Sequence, residues 1–199
     1  MKRVITILGI LVGSLFIITG CGKKEEPIGG NEYLSGKHNI EIEIEDYGTI
    51  KATLDADKAP ITVTNFVKLV EEGFYDGLTF HRIITDFMIQ GGDPEGNGTG
   101  GSDETIIGEF EANGIKNSQS HTRGALSMAR SNDKDSASSQ FFIVHQDSTF
   151  LDGEYATFGY VTEGIEIVDQ ICEDTPVLDN NGTVDPSNQP VITSIKVVE

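Results

Sequence analysis

One arginine, Arg82, stands in the run Phe80-His81-Arg82-Ile83-Ile84, and Phe87-Met88-Ile89-Gln90-Gly91-Gly92-Asp93 follows almost at once. This sets a permanent cation with several donors among apolar side chains and one amide. Such a set suits a pocket for a neutral polar bond flanked by an apolar ring. Other stretches look chemical but fail on context. Asp93-Pro94-Glu95-Gly96-Asn97-Gly98, with Glu104 at the twelfth place, scans loosely as a calcium loop but has no flanking amphipathic helices. No Gly-Lys-Ser/Thr follows its glycines, so it is not a phosphate loop. His38, His81, His121 and His145 have no close metal spacing, and Ser127 and Ser139 lack a nucleophile elbow. No metal and no cofactor is expected.

Two further segments, Gly124-Ala125-Leu126-Ser127-Met128-Ala129 and Ser138-Ser139-Gln140-Phe141-Phe142-Ile143, again put small residues beside an amide and aromatics. Phe150-Leu151-Asp152-Gly153 and Phe158-Gly159-Tyr160-Val161 follow in order. Taken together, from about Asn39 onward, the segments resemble the cyclophilin family of peptidyl-prolyl cis-trans isomerases. The resemblance implies a mainly β fold, a closed eight-stranded antiparallel barrel capped by two short α-helices. It also implies that Arg82 is catalytic, that Phe87, Met88, Phe142 and Leu151 receive the proline ring, and that Gln90 binds the substrate backbone. Ala129, Arg130 and Gln140 match the adjoining groove, and His81 the pocket edge. Phe150 stands where many relatives carry Trp, so the indole donor is lost and affinity for cyclosporin should fall; Tyr155 replaces a pocket His. Arg130, where relatives often have Asn, adds a cation that would favour acidic substrate residues.

That activity needs no nucleophile. An X-Pro bond rotates over a barrier of about 18–20 kcal/mol, taking tens to hundreds of seconds unaided. A catalyst has only to favour the twisted state, in which the prolyl nitrogen gains a lone pair that accepts a hydrogen bond. Rate enhancement of roughly five decades corresponds to about 7 kcal/mol of differential stabilisation, much of which a charge-assisted donor in a dry, preorganised pocket can supply. The alternative is a proline-peptide-binding or holdase module using the same groove with little catalysis; the intact Arg82 favours the enzyme. A solute-binding lipoprotein would need a longer, two-lobed chain.

The elements that must position these residues are partly readable. Residues 39–45 alternate Ile and Glu, and after a turn at Tyr47-Gly48-Thr49 the pattern resumes with Ile50, Ala52 and Leu54, predicting a half-buried hairpin. Pro60 suits a helix start, Val63, Phe66, Val67 and Val70 share one face, and Gly73 suits the stop. Residues 78–92 and 124–144 read as short strands, 165–172 as a second helix, and 191–198 as a closing strand. The long polar stretch 93–123 is expected to shape a site, and the acidic, amide-rich stretch 173–188 to be a solvated loop.

The N-terminal end carries a separate message. Lys2-Arg3 precede an apolar and small-residue run that stops at Gly20-Cys21, and Ile18-Thr19-Gly20-Cys21 resembles the bacterial lipobox. The chain therefore divides into a lipoprotein signal peptide (1–20), a lipidated Cys21 with a flexible tether (21–37), and an isomerase domain (38–199). Only Cys172 then remains as a thiol, so no internal disulfide forms. Removing Lys2 and Arg3 with the signal takes the formal charge from -18 to -20, which excludes nucleic acid as a partner class. The expected setting is the extracytoplasmic face of a bacterial membrane, held through the N-terminal lipid. A monomer acting on proline-containing, unfolded secreted polypeptides is the expected form.

Overall fold

Alternation between Ile and Glu drives the first strand, β1 (Lys37–Ile44), whose Ile40, Ile42 and Ile44 are buried. It pairs antiparallel with β2 (Gly48–Asp55), burying Ile50, Ala52 and Leu54 on the same side. Their turn falls slightly earlier than the glycine suggested, at residues 45–47, with Asp46 taking a φ of 63°. Asp tolerates that left-handed conformation better than most residues. The computed structural model describes residues 33–199, so the signal peptide, Cys21 and most of the tether lie outside the described residues. Of the stretch assigned to the tether, Leu34 and Gly36 are already docked: the Leu34 amide donates to Thr64 Oγ1 at 2.9 Å and the Gly36 amide to Asp57 Oδ1 at 2.7 Å.

The helix α1 (Pro60–Glu71) begins at its proline, buries Val63, Phe66, Val67 and Val70, and gives way to Gly73 at a φ of 68°. Its first turn has no local cap. Instead the buried Glu109 carboxylate accepts from the Ile61 amide at 3.1 Å and from the Thr62 amide and hydroxyl, each at 2.7 Å. It thereby satisfies two of the helix's orphan donors from a distant part of the chain. Then come β3 (Thr79–Ile84), β4 (Met88–Asp93), β5 (Ala125–Met128), β6 (Phe141–Val144), β7 (Thr157–Glu163), α2 (Ile165–Asp174) and β8 (Ile192–Val198).

All pairings are antiparallel and the strand order is β3-β4-β6-β5-β7-β2-β1-β8. The eight strands form a half-barrel with two helices. No ladder joins its end strands, β3 and β8, into the closed barrel that the resemblance implied. They meet through one bridge, Thr79 to Val191, and bonds such as Phe80 N to Pro190 O at 2.9 Å and Gly77 N to Ile192 O at 2.8 Å.

Period-two alternation sorts the central strands between two faces. Ile89, Leu126, Met128, Phe141 and Ile143 join the main core around Phe66, whose ring lies 5.0 Å from Tyr75, 5.4 Å from Phe141 and 5.1 Å from Phe158. Their neighbours Met88, Ala125, Phe142 and Val144 form a second cluster on the opposite face, with Phe87, Leu151 and Tyr155 packed on it.

Candidate active site

Strand register builds the site. Arg82 lies opposite Gln90, Gln90 opposite Phe142, and Phe142 opposite Ser127, so four strands contribute one row to the second face. A bulge in β3 between Phe80 and Arg82 turns His81 and Arg82 relative to the regular pleat. The row floors a cavity of about 490 Å³. Met88, Phe87, Phe142 and Leu151 line it as an apolar wall, with His81, Arg82, Gln90, Ala129, Arg130 and Tyr155 around them. Gln140 lines an adjoining depression with Ala129, Arg130 and Gly100. Phe150 stands at the rim, 73 % exposed, its ring 5.7 Å from that of Phe87. All twelve residues singled out in the sequence for catalysis and substrate binding are therefore drawn to one surface.

A polar relay crosses the floor. Arg82 Nη1 donates to Gln90 Oε1 at 3.2 Å, Gln90 Nε2 to Gln140 Oε1 at 2.9 Å, and Gln140 Nε2 to the Gly100 carbonyl at 2.7 Å. On its other side the guanidinium donates through Nε to the Asn181 carbonyl at 2.8 Å and through Nη2 to Asn181 Oδ1 at 3.3 Å. Two of its five N–H groups are thus left for a ligand. Burial draws the Arg82 guanidinium below its ordinary range, with Tyr155 and Asp179 opposing. Burial likewise lowers His81, against the pull of Asp93; among the described residues neither of its ring nitrogens has a partner.

Arg130 is less free than its sequence position suggested. Its Nε and Nη2 donate to the Glu154 carbonyl at 3.1 and 2.9 Å, and its guanidinium carbon sits 4.6 Å from the Tyr155 ring centre and 5.1 Å from that of Phe110. Only 12 % of the side chain is exposed. Stacking and carbonyl bonds absorb the cation, so it braces Tyr155 and does not offer an open acid-binding charge.

Beneath Phe142, the buried His121 ring places Nδ1 2.8 Å from Asp152 Oδ1 and Nε2 3.0 Å from Ser127 Oγ. Ser127 is fully buried, so this string presents no nucleophile; His121 stacks under Phe142, ring centres 6.0 Å apart, and supports the floor.

Only the start of the stretch 93–123 walls the cavity, through Gly96, Asn97 and Gly98. The Asp93 carboxylate accepts from the amides of Glu95 at 2.8 Å, Asn97 at 3.1 Å and Gly98 at 2.6 Å, folding Gly96, Asn97 and Gly98 against the cavity. The stretch 173–188 corrects the sequence reading. Though largely exposed, it supplies Leu178, Asn181, Thr183, Val184 and Pro186 to the cavity and two of the three oxygens that hold Arg82. Asn181-Gly182 between Val177-Leu178 and Val184 was the available hairpin signal.

Residues 39–197 match the family described as Cyclophilin type peptidyl-prolyl cis-trans isomerase/CLD. This chain belongs to the cyclophilin family. It is 51 % identical over 123 residues to peptidyl-prolyl cis-trans isomerase B of Bacillus subtilis, a match covering 62 % of this chain and 82 % of that one. It is 41 % identical over 159 residues to isomerase A of Dickeya dadantii, covering 76 % and 80 %. The fold superposes with a TM-score of 0.71 on a Cryptosporidium parvum cyclophilin type isomerase crystallised in the presence of the dipeptide Ala-Pro, at 30 % identity over 81 % of this chain and 99 % of that one. The activity that goes with this membership is peptidyl-prolyl cis-trans isomerisation.

Proposed function

We propose that this cyclophilin accelerates X-Pro rotation through Arg82 alone, with no covalent intermediate, on secreted or surface polypeptides outside the cytoplasm. The observation that carries this reading is a guanidinium tethered on two sides beside an apolar wall in one cavity. The proline ring sits on Phe87, Met88, Phe142 and Leu151, and Gln90 and Gln140 meet the flanking backbone. As the amide twists, its nitrogen becomes an acceptor for an unused N–H of Arg82. That bond exists only in the twisted state, so it lowers the barrier without tightening ground-state binding. No proton moves, and the nitrogen returns to planarity on either side of the barrier.

The lipobox motif at Cys21 supports a chain acylated there and held on the extracytoplasmic face of a bacterial membrane. The bonds between β3 and β8 support completion of the half-barrel into a barrel in solution. The first test is cis-trans exchange of an Ala-Pro peptide, measured by NMR with wild type and Arg82→Ala. Fast exchange that drops by orders of magnitude in a folded Arg82→Ala supports the mechanism. A wild type that binds peptide without accelerating exchange leaves a recognition groove only. Labelled palmitate entering the wild type but not Cys21→Ala tests the anchor.

A further inference from the structure

Residues 177–184 do more than connect α2 to β8. Val177 and Val184 form a bridge, and the Leu178 amide donates to the Thr183 carbonyl at 2.7 Å, so the stretch is a short hairpin. The Asp179 carboxylate closes its tip, accepting from Asn181 N at 2.9 Å, Thr183 N at 3.1 Å and Thr183 Oγ1 at 3.0 Å. The outgoing limb runs along the edge of β3, where the Ile83 amide donates to the Gly182 carbonyl at 2.8 Å and the Val184 amide to the His81 carbonyl at 3.0 Å. Edge strands need such cover, and here the cover is docked on the strand that carries Arg82. Gly182 is needed at that contact: its φ is 79°, and a Cβ would overlap the Ile83 carbonyl oxygen. Beyond it, Gln189 Nε2 ties the limb to the opposite wall by donating to the Gly96 carbonyl at 2.9 Å.

Docked in this way, the hairpin turns two groups to the cavity. Asn181 holds the Arg82 guanidinium by its main-chain and side-chain oxygens. Leu178, 65 % exposed, lines the cavity that Phe87 and Phe142 also line. We infer that the hairpin is a positioning and specificity element of the isomerase: Asn181 is a positioning residue that orients Arg82, and Leu178 recognises a large apolar residue adjoining the substrate proline. This rests on the isomerase reading above. Its two parts act on different constants. Orientation of Arg82 matters only in the twisted state and appears in kcat, whereas apolar contact with a flanking residue is made throughout and appears in KM.

The test uses the whole protein with Gly182→Ala, Asp179→Ala, Asp179→Asn and Leu178→Ala, melting temperatures confirming that each folds. Gly182→Ala lifts the limb off β3, and kcat falls about tenfold with KM within about twofold, as expected for loosening one charge-assisted bond. Asp179→Ala does the same by opening the tip, and Asp179→Asn, which keeps an acceptor oxygen, restores most of the loss. Leu178→Ala leaves kcat alone and raises KM roughly fivefold for peptides with Leu beside the proline, but not for those with Gly there. The Arg82 Nε–H resonance gives a readout independent of turnover: it is protected from solvent exchange in wild type and loses protection in Gly182→Ala. Unchanged kcat and undiminished protection in both Gly182→Ala and Asp179→Ala overturn the positioning role, and a KM effect of Leu178→Ala blind to the flanking residue overturns the specificity role. If wild type shows the protected resonance but no isomerase activity, the isomerase reading fails, and the hairpin contact is seen to be structural.

Discussion

A guanidinium differs from an ammonium at this site because it is held at three places at once. Asn181 takes Nε and Nη2 on one side and Gln90 takes Nη1 on the other, and the guanidinium lines the cavity. A lysine would keep the charge but could satisfy neither tether in the same geometry. Arg82→Lys is therefore expected to retain the fold and peptide binding while kcat falls about a hundredfold, the scale for removing one aimed donor. The same fixed charge predicts the pH profile. His81 is the one titratable neighbour on the adjacent position, and burial lowers its pKa from 6.5, so it is neutral at and above neutrality. Burial lowers Arg82 too, but a guanidinium stays charged across the range. Turnover measured between about pH 6 and 9 should stay nearly flat. A steep step in that window would mean that a histidine shares the chemistry.

Among the elements, those whose information is local were legible in the sequence. The Ile-Glu alternation of β1, the face made by Val63, Phe66, Val67 and Val70, and the position of β8 all follow from periodicity that neighbouring residues carry. The twelve candidate residues were picked out for another reason: their ordered segments resemble a family, and the register of β3, β4 and β6 sets Arg82, Gln90 and Phe142 among them in one row. What escaped depends on partners far along the chain. The hairpin at 177–184 reads as acidic and solvated because its meaning lies in bonds to β3, with Arg82 and Asn181 standing 99 residues apart in the chain. The cap of α1 escaped in the same way, since Glu109 lies 47 residues beyond Thr62. Removing that carboxylate strands the Ile61 and Thr62 amides at a buried helix start. Glu109→Ala should destabilise the domain by about 2 kcal/mol, lowering the melting temperature by several degrees. Calorimetry can check this, and an unchanged melting temperature would show that solvent replaces the cap at no cost.

For the molecule as a whole, ionisation ties stability and encounter to solution conditions. His81 and His121 have pKa values lowered by burial, with Asp93 and Asp152 respectively opposing. The unfolded chain therefore takes up more protons at these two sites as pH falls below about 6.5, and stability declines there. Asp93 and Asp152 are held below 3.8 by their hydrogen bonds against the effect of burial, so their contributions are present above that value and are lost as pH falls through their lowered pKa values. Glu109, raised by burial, has the opposite sign: its contribution is full below 4.5 and declines as pH rises through its raised pKa. Melting temperature should rise from pH 5 to about 7 if the two histidines outweigh Glu109, with a shallower slope in His81→Asn. The formal charge of -18 acts at longer range. It repels anionic surfaces and draws cationic chains toward the molecule over about a Debye length, roughly 10 Å at 0.1 M salt. Unfolded clients rich in Lys or Arg near proline should therefore associate faster than neutral ones, with the advantage disappearing as salt rises. Stopped-flow association of a Lys-flanked and a Ser-flanked proline peptide, at about 20 mM and 300 mM salt, separates the cases. A rate that falls several-fold with salt for the first peptide alone assigns client capture to the field of the whole domain. Equal salt responses would leave selection to the groove and to Leu178.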